Sequence, residues 1–347
     1  MPVTVVVGGQ FGSEGKGKVA YELAKDKNAA AVIRVGGSNS GHTIVDPTGK
    51  VRKFRSLPTA SILPNMLSII AAGSYIDPGI LLAEIQETGV TKDQVIIDPN
   101  AVVITNEDIK AEETSSLGDA IGSTQSGTGA AVLARISRTR DIHFAKDIKT
   151  LQPYIQNTKT VMRSLLKSGK RIIVEGTQGY GLSILHANCY PFATSRDTTA
   201  AGFVSEAGLS PLDVDEVVMV IRAFPIRVAG NSGPLPLEID WETVQQESGY
   251  EHTLTERTTV TNKVRRVARF DAEIVKAAIE ANNPSSIVLN HVDYVDVNCK
   301  FDSKLTSIAN QFICEIERKI DARIDYVGFS PNGIIRRHVI PSQVMSA

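Results

Sequence analysis

Residues 4–18 read TVVVGGQFGSEGKGK, and this stretch decides the fold. Its run of valines does not alternate with polar residues, which is typical of a strand buried on both faces of a sheet. Five glycines and two lysines lie between this strand and a helix predicted from Val19. In such a turn, backbone N–H groups can face an anion, and the start of the helix adds a positive dipole. The stretch therefore predicts an α/β protein with a P-loop-like phosphate site after its first strand.

The loop departs from a standard P-loop at one position. Gly12 to Lys18 satisfies the GxxxxGK pattern, but Val19 stands where that motif needs Ser or Thr to hold magnesium. A tight turn explains two glycines, whereas five glycines beside two lysines favour phosphate binding. We therefore predict a phosphate site of a different kind from that of the standard motif.

Five more β-branched runs follow, and helical stretches separate them. They predict a mainly parallel central sheet flanked by helices, in which ligands bind beyond the carboxyl ends of the strands. The runs are 30–37, 171–176, 216–224, 285–293 and 323–329. Apolar residues recur at helical spacing in two stretches, as Ile274, Val275, Ala278 and Ile279, and as Ile308, Phe312, Ile316 and Ile320.

The composition excludes several classes of protein. The chain has 347 residues, 37 Lys and Arg against 38 Asp and Glu, and 42% hydrophobic residues, an ordinary globular balance that predicts no nucleic-acid partner. The longest apolar runs, 3–7 and 217–221, are too short to span a membrane, so we expect no membrane association. Three cysteines form neither a disulfide framework nor a CxxC metal pattern. We expect a cytoplasmic protein.

No repeat, low-complexity tract or linker divides the chain. We therefore predict one domain over residues 1–347, with inserted loops and small subdomains. Two stretches, 114–129 and 249–266, are rich in small or polar residues and poor in apolar anchors. Such composition is typical of surface loops that carry function, and we interpret both stretches as mobile loops.

A histidine follows the second predicted strand, within RVGGSNSGHT at residues 34–43. Most single histidines are structural. His42, however, lies in a glycine-dense turn at a strand end, where a phosphate or a reacting oxygen can approach it. We therefore interpret His42 as a functional residue.

The segments GGQFGSEGKGK (8–18) and GGSNSGHT (36–43) resemble the signature segments of adenylosuccinate synthetases. Further segments follow in the order of that family, so the resemblance spans nearly the whole chain. They are IGSTQSGTG (121–129), VEGTQGYGL (174–182), YPFATSRDTTAAG (190–202), TTVTNKVRRVARFD (258–271), LNHVD (289–293) and FSPNG (329–333).

The resemblance implies a ligase that joins aspartate to C6 of a 6-oxopurine nucleotide. In the family, a nucleoside triphosphate first phosphorylates O6, and the amine of aspartate then displaces that phosphate. O6 is a poor nucleophile until the N1 proton leaves, so the reaction needs a base near N1 and a cationic or acidic group near the phosphoryl. The family uses an Asp for the first role and a His for the second.

The resemblance also implies residue roles. His42 matches the catalytic histidine, Gln178 a residue at the 6-oxo edge, and Arg138 an arginine donated across a homodimer interface. Donor nucleotide contacts are expected from Gly12, Gly15, Lys16, Gly17, Lys18, Gly41, His42, Thr43, Arg265, Asn290, His291, Asp293, Ser330 and Pro331. Purine nucleotide contacts are expected from Ser13, Asn39, Thr124, Arg138, Gln178, Thr194 and Lys263. Aspartate contacts are expected from Thr258, Thr259, Val260, Thr261, Lys263 and Arg265.

One departure from the family pattern concerns the substrate. The family's base and magnesium ligand, an Asp, falls at Ser13, whose neutral hydroxyl cannot act as that base. Guanine carries a 2-amino group beside N1, and the shorter serine leaves room for it. This change resembles a phage-type branch of the family that acts on dGMP in the synthesis of diaminopurine DNA, which would place the protein in a host cytoplasm. For Mg²⁺, the expected ligands are the Gly41 carbonyl and Ser13.

Other departures concern the base and the donor. Lys263 replaces an arginine near the ribose, which fits a sugar without a 2′-hydroxyl, and Glu14 remains beside Ser13 as a hypothetical N1 base. The family reads GTP with a Thr-Lys-x-Asp segment. Here Asp293 remains, but the lysine does not, so we favour ATP over dATP or GTP as the donor.

Two other functions stay open at this point. One is an ordinary adenylosuccinate synthetase that uses IMP, GTP and aspartate and tolerates Ser13. The other is an inactive nucleotide-binding protein, suggested by the missing base and metal ligand. The retention of His42, Gln178, Arg138 and the arginines of the 258–266 loop argues against the inactive protein.

Overall fold

The computed structural model describes residues 2–138, 142–258, 262–302 and 304–337. The strands are β1 (Val3–Gly8), β2 (Ala31–Arg34), β3 (His42–Val45), β4 (Val51–Phe54), β5 (Leu67–Ile70), β6 (Tyr75–Ile76), β7 (Val95–Ile97), β8 (Val102–Val103), β9 (Ile172–Glu175), β10 (Val214–Arg222), β11 (Ile226–Arg227), β12 (Glu238–Ile239), β13 (Arg266–Ala268), β14 (Ser286–Asn290), β15 (Tyr326–Gly328) and β16 (Ile335–Arg336).

The α-helices lie between these strands. They are α1 (Lys16–Asp26), α2 (Pro78–Thr88), α3 (Asn106–Glu113), α4 (Leu117–Ile121), α5 (Thr128–Ser137), α6 (Thr158–Lys167), α7 (Ala200–Ala207), α8 (Trp241–Ser248), α9 (Ala272–Asn282), α10 (Asn298–Asp302) and α11 (Ser307–Ile320). Among the described residues, no helix is both long and apolar enough to cross a membrane.

Nine strands form the central sheet, in the order β16-β15-β14-β10-β1-β9-β2-β5-β7. Neighbouring strands are parallel except β15 and β16, which are antiparallel. The predicted fold class, a mainly parallel sheet flanked by helices, is therefore confirmed. Each of the six predicted runs supplies one strand, and these strands are β1, β2, β9, β10, β14 and β15.

The central strands alternate their side chains between two apolar layers. Val5 and Val7 of β1 pack in a cluster covered by α6, α7, α9 and α11, whereas Val6 packs in a cluster with residues of α1 and α2. Because helices cover both faces, both kinds of position are apolar, which explains the unbroken valine run. The phosphate loop thus starts from the rigid centre of the molecule.

Two local predictions differ from the structure. The predicted mobile stretch 114–129 contains the short helix α4 and the start of α5. In α11, the buried residues are Ala309, Ile313, Ile316 and Ile320, whereas Ile308 is 60% exposed. A strict four-residue repeat rotates about 40° around a helix at each step, so its first member leaves the buried face.

The carboxyl ends of the parallel strands lie along one edge of the sheet. Gly8, Arg34, Glu175, Arg222 and Asn290 are the last residues of β1, β2, β9, β10 and β14. Polar or charged side chains therefore end the four strands on either side of β1, at the place where ligands bind in open α/β sheets.

Candidate active site

The phosphate loop leads from β1 into the start of α1. Gly15 has a φ of 90°, and a Cβ atom there would lie 2.7 Å from Nδ2 of Asn290. The first main-chain hydrogen bond of α1 runs from the Val19 N–H to the Gly15 carbonyl (3.2 Å). The N–H groups of Lys16, Gly17 and Lys18 therefore point out of the helix start, an arrangement suited to binding phosphate.

Glu14 is fully buried inside this loop. Its carboxylate accepts the N–H of Gly12 (2.8 Å) and the N–H of Gln10 (3.2 Å), and it pairs with the ammonium group of Lys16 at 2.6 Å. These contacts favour a role in holding the loop over the hypothesis of a base at N1. Because the Lys16 side chain is engaged by Glu14, Lys16 contacts a phosphate through its backbone N–H and not through its ammonium group.

Lys18 joins the phosphate loop to the segment after β15. Its ammonium group donates to the Ser330 carbonyl at 3.0 Å. Burial lowers the pKa of Lys18 to about 8, partly offset by the charges of Asp293 and Glu22. The side chain is therefore mostly protonated at pH 7 and brings a positive charge to the site.

His42 and Glu175 form a buried pair beside the start of α1. The imidazole Nδ1 of His42 hydrogen-bonds to Oε1 of the Glu175 carboxylate. The other oxygen of that carboxylate accepts the N–H of Thr59 (2.8 Å) and its hydroxyl (2.7 Å), while a guanidinium nitrogen of Arg34 lies 3.7 Å from the first oxygen. The carboxylate is thus fixed from several directions, and it fixes the imidazole.

The electrostatics of this pair keep the imidazole neutral in the free protein. Burial and the nearby charge of Arg34 lower the pKa of His42 to about 4, against the opposing effect of Glu175. Burial pushes the pKa of the Glu175 carboxyl up, but the His42 hydrogen bond and the Arg34 charge outweigh it, so this pKa lies below its ordinary value. An ionised carboxylate only accepts hydrogen bonds, which places the imidazole proton on Nδ1 and leaves Nε2 for a ligand.

Glu175, Arg34 and Thr59 were not predicted from the sequence as residues of the site. A signal was present for the first two, because each is a charged residue at the end of an unbroken apolar run. Close packing also went unrecognised at Gly17, where a Cβ atom would lie 2.7 Å from Thr59 and 2.8 Å from His42. The absence of a side chain there allows the histidine to approach α1.

Ser13 and Gln178 lie at the mouth of the same loop. Both are half-buried and have left-handed backbone conformations, with φ of 58° and 64°. The side-chain oxygen of Gln178 lies 3.7 Å from the position of a Cβ atom at Gly12, so the structure brings the two segments together. Asp and Asn adopt this backbone region more readily than most residues, so an aspartate fits the backbone at position 13.

A buried arginine links this loop to the predicted aspartate-binding loop. Arg222 is fully buried, and its guanidinium donates to the Ser13 carbonyl (2.9 Å) and to the Glu256 carboxylate (2.5 Å). Burial raises the pKa of Glu256, but the charges of Arg222 and His291 outweigh it and lower that pKa to about 2. The pair therefore stays charged, and it was not expected from the sequence.

The predicted aspartate-binding loop is described at Thr258 and at residues 262–266. The N–H of Thr258 donates to the Lys263 carbonyl (2.9 Å), and the N–H of Lys263 donates to the Thr258 hydroxyl (3.0 Å). The N–H of Arg265 donates to the Glu256 carbonyl at 2.8 Å. These bonds form the base of a hairpin. The predicted contacts Thr259, Val260 and Thr261 lie outside the described residues.

The remaining predicted purine-nucleotide residues are Asn39, Thr124, Thr194 and Arg138. Asn39, Thr124 and Thr194 are half-buried, and the Thr124 hydroxyl lies 3.2 Å from that of Ser126. Arg138 is exposed and follows the last turn of α5 with a φ of 54°. An exposed arginine in this position is available to a second subunit.

The predicted donor-base residues follow β14 and β15. Asn290 is buried, and its amide nitrogen donates to the Glu14 carbonyl at 2.7 Å. His291 has a φ of 59°, and burial lowers its pKa to about 3. Asp293 is buried nearby, whereas Ser330 is half-buried and Pro331 is exposed. The structure therefore connects this segment to the phosphate loop through Asn290 and Lys18.

The oxygen atoms around the phosphate loop fit one kind of magnesium site. Within the described ranges, no group of three or more His, Cys, Asp or Glu residues could hold a metal ion. The carboxylates of Glu14 and Glu175 are committed to Lys16 and His42. Mg²⁺ takes oxygen ligands, keeps several waters and often binds through substrate phosphates. The neutral oxygens of Gly41 and Ser13 therefore suit an ion that is bound mainly by nucleotide phosphates.

Known proteins resemble this chain in sequence and structure. The family model described as adenylosuccinate synthetase matches residues 5–147 and 142–302. The adenylosuccinate synthetase of Methanococcus aeolicus is 35% identical over 341 residues, covering 95% of this chain and 97% of that protein. That of Thermococcus onnurineus is 34% identical over 340 residues, covering 95% and 96%.

Two solved structures share the fold over nearly the full length. The succinoaminodeoxyadenylate synthetase (PurZ) of cyanophage S-2L, bound to dGMP and dATP as an energy donor, has a TM-score of 0.81 and 30% identity, covering 96% of this chain and 95% of that one. A fully ligated adenylosuccinate synthetase from Plasmodium falciparum has a TM-score of 0.82 and 20% identity, covering 97% and 100%, and this likeness shows the fold. The chain belongs to the adenylosuccinate synthetase family of ligases.

Proposed function

We propose that this protein joins L-aspartate to C6 of dGMP at the expense of ATP, giving 2-amino-2′-deoxy-N6-succinyladenylate for diaminopurine DNA. The observation that carries the proposal is Ser13, a short neutral side chain at the mouth of the phosphate loop where the family pattern has an aspartate. Guanine differs from hypoxanthine by a 2-amino group beside N1. The smaller side chain leaves room for that group next to Gln178.

A solved relative supports this choice of substrate. The PurZ of cyanophage S-2L, which is 30% identical over 96% of this chain, was solved with dGMP and dATP bound. The dATP bound to that enzyme agrees with ATP or dATP as the donor for this protein. The phage-type branch of the family is thus the group to which we assign the protein.

The phosphate side of the site, which consists of the start of α1 with His42 and Glu175, performs the first step. The donor phosphates bind the N–H groups at the start of α1 and bring negative charge toward Nε2 of His42. That charge raises the pKa of His42, so the imidazole can donate a hydrogen bond to the transferring phosphoryl oxygen while Glu175 holds its other nitrogen. Because Glu14 is buried in a pair with Lys16, we assign it to holding the loop and not to accepting the N1 proton.

Magnesium and aspartate complete the reacting groups. Mg²⁺ would be held by the Gly41 carbonyl, the Ser13 hydroxyl and the nucleotide phosphates, and it supplies positive charge at the transferring group. Arg265 and the threonines of the 258–261 segment bind the carboxylates of aspartate, since a guanidinium suits planar bidentate pairing. Arg138 contacts the nucleotide of the partner subunit in a homodimer.

An ordinary adenylosuccinate synthetase is the alternative. The identity of 35% to the Methanococcus aeolicus enzyme favours it, because it exceeds the 30% identity to the cyanophage enzyme. In that case, IMP and GTP replace dGMP and ATP.

The test measures phosphate release and product mass with Mg²⁺, ATP and aspartate, offering dGMP in one tube and IMP in another. We expect aspartate-dependent phosphate release and a succinylated product from dGMP. A product from IMP alone, with either ATP or GTP, would refute the proposal in favour of the alternative. Binding of nucleotide without aspartate-dependent release under any combination would show an inactive protein.

A further inference from the structure

Asp293, the residue that matches the family's guanine-reading aspartate, is already engaged by another side chain. It is buried after β14, and its Oδ2 accepts the hydroxyl of Tyr250 at 2.6 Å. Burial and this contact raise the pKa of Tyr250, so the phenol keeps its proton and remains a donor. One of the two carboxylate oxygens is therefore occupied before any nucleotide binds.

Tyr250 is held in place by its neighbours. Its ring packs edge-on against Tyr294 with 6.1 Å between centroids, and the Lys300 ammonium lies 5.6 Å from its centroid. The adjacent segment is pinned as well, because the N–H of Val297 donates to the Ser248 carbonyl at 2.9 Å. A side chain held by these contacts loses little entropy by keeping its hydroxyl on Asp293.

The chemistry of the two candidate bases makes this contact selective. Guanine presents two donors, N1–H and the 2-amino group, and uses both oxygens of a carboxylate when it pairs with it. Adenine presents one amino donor beside the acceptor N1, so the oxygen of Asp293 that Tyr250 does not contact suffices. A guanine at Asp293 has to displace the Tyr250 hydroxyl or share Oδ2 with it, and we expect both outcomes to weaken binding.

We propose that Tyr250 is a specificity-determining residue that disfavours guanine at the donor site by competing for one oxygen of Asp293. The inference rests on the proposed function, in which an adenine nucleotide is the donor, and it names the group that enforces that choice. Tyr250 belongs to the segment after α8, outside every motif that carries the family resemblance.

The experiment measures binding of the non-hydrolysable analogues AMPPNP and GMPPNP, each with Mg²⁺, by calorimetry on the full chain. Binding is separate from turnover, so the result does not depend on whether dGMP or IMP is the acceptor. We expect the wild type to bind AMPPNP at least tenfold more tightly than it binds GMPPNP. Tyr250→Phe, which keeps the ring and removes the hydroxyl, should bind GMPPNP about tenfold more tightly than the wild type and AMPPNP within threefold of it.

Asp293→Asn supplies the matched control. If the released carboxylate reads guanine, the double variant Tyr250→Phe/Asp293→Asn loses the gain in GMPPNP affinity. Tyr154→Phe removes a phenol far from the donor site, and it should leave both affinities unchanged; melting curves confirm that each variant is folded. A wild type that prefers GMPPNP, or a folded Tyr250→Phe with an unchanged ratio of affinities, would overturn the proposal. If the wild type prefers AMPPNP but does not turn over dGMP, only the proposed acceptor is refuted.

Discussion

The phosphate side and the purine side of the site differ in how completely they are assembled without ligands. On the phosphate side, Glu14 is paired with Lys16 and His42 with Glu175, all within the protein. On the purine side, Ser13 and Gln178 are half-buried and Lys263 is exposed. The first side is preorganised for charge stabilisation, which is worth most when the groups need not move during the reaction. The side chains of the second side are more open to solvent.

Under the proposed function, this difference would let the choice of purine nucleotide change while the phosphate side stays the same. A substitution at Ser13 changes the space next to the base without touching the buried pairs that hold the phosphate groups. The two sides still communicate, because Arg222 donates to the Ser13 carbonyl and to Glu256 at the base of the aspartate loop. The comparison predicts large losses of activity on the phosphate side and changes of specificity on the purine side.

The largest expected effect is on the phosphate side. His42→Asn keeps a nitrogen donor for Glu175 but removes the group at the transferring phosphoryl. We expect kcat to fall about 10³-fold, in the range for loss of a catalytic acid, with little change in KM for aspartate. Steady-state kinetics measure it. A fall of less than tenfold would show that the phosphate side does not depend on the histidine.

The next effect concerns the link between the two sides. Arg222→Met leaves Glu256 without its buried partner and should lower the free energy of unfolding by about 3 kcal/mol. Urea denaturation measures this loss. Arg222→Lys, which retains the charge, should recover part of it. In the double variant Arg222→Met/Glu256→Leu, the loss should be smaller than the sum of the single losses, and strict additivity would contradict the link.

A smaller effect is expected on the purine side. Ser13→Asp restores the family's side chain on a backbone that accepts it, and it should reduce the ratio of kcat/KM for dGMP to that for IMP by about tenfold to a hundredfold. Ser13→Ala is the matched control, because it keeps the space and loses only the hydroxyl. If Ser13→Ala changes the ratio as much as Ser13→Asp, space is not what selects the nucleotide.

A last effect, on stability and not on activity, is a dependence on pH. His42 has a pKa of about 4 in the folded protein, against 6.5 when exposed, so the unfolded chain binds more protons between these values. Stability should therefore fall as pH drops from 6.5 toward 4, by at most about 1.4 kcal/mol per pH unit for this group. His291, whose pKa is about 3, adds a slope of the same sign. Denaturation of His42→Asn between pH 4 and 7 should show a shallower slope, and an equal slope would contradict the pKa assigned to His42.

The sequence predicted the central sheet wherever a long β-branched run followed a turn. It did not predict β5, β7 or β16, which lie at or next to the two edges of the sheet. A short apolar run by itself does not distinguish a strand from another buried segment. The retained strands are enough to place the phosphate loop, because β1 lies at the centre of the sheet.

The candidate site was predictable where residues are close in the chain and not where tertiary packing creates the contact. The loop at 8–18 and the turn before His42 could be interpreted directly. Glu175 lies 133 positions from His42, and Glu256 lies 34 positions from Arg222. Neither pair has a spacing that a local pattern could reveal. Charged residues at the ends of buried strands were the available signal.

A competition between dGMP and IMP tests most directly whether the protein prefers dGMP. The protein receives equal concentrations of dGMP and IMP in one tube, with Mg²⁺, ATP and aspartate, and mass spectrometry quantifies both succinylated products at low conversion. The product ratio gives the ratio of kcat/KM values regardless of the active fraction. The account predicts that the dGMP product predominates by at least tenfold. A predominance of the IMP product would contradict it.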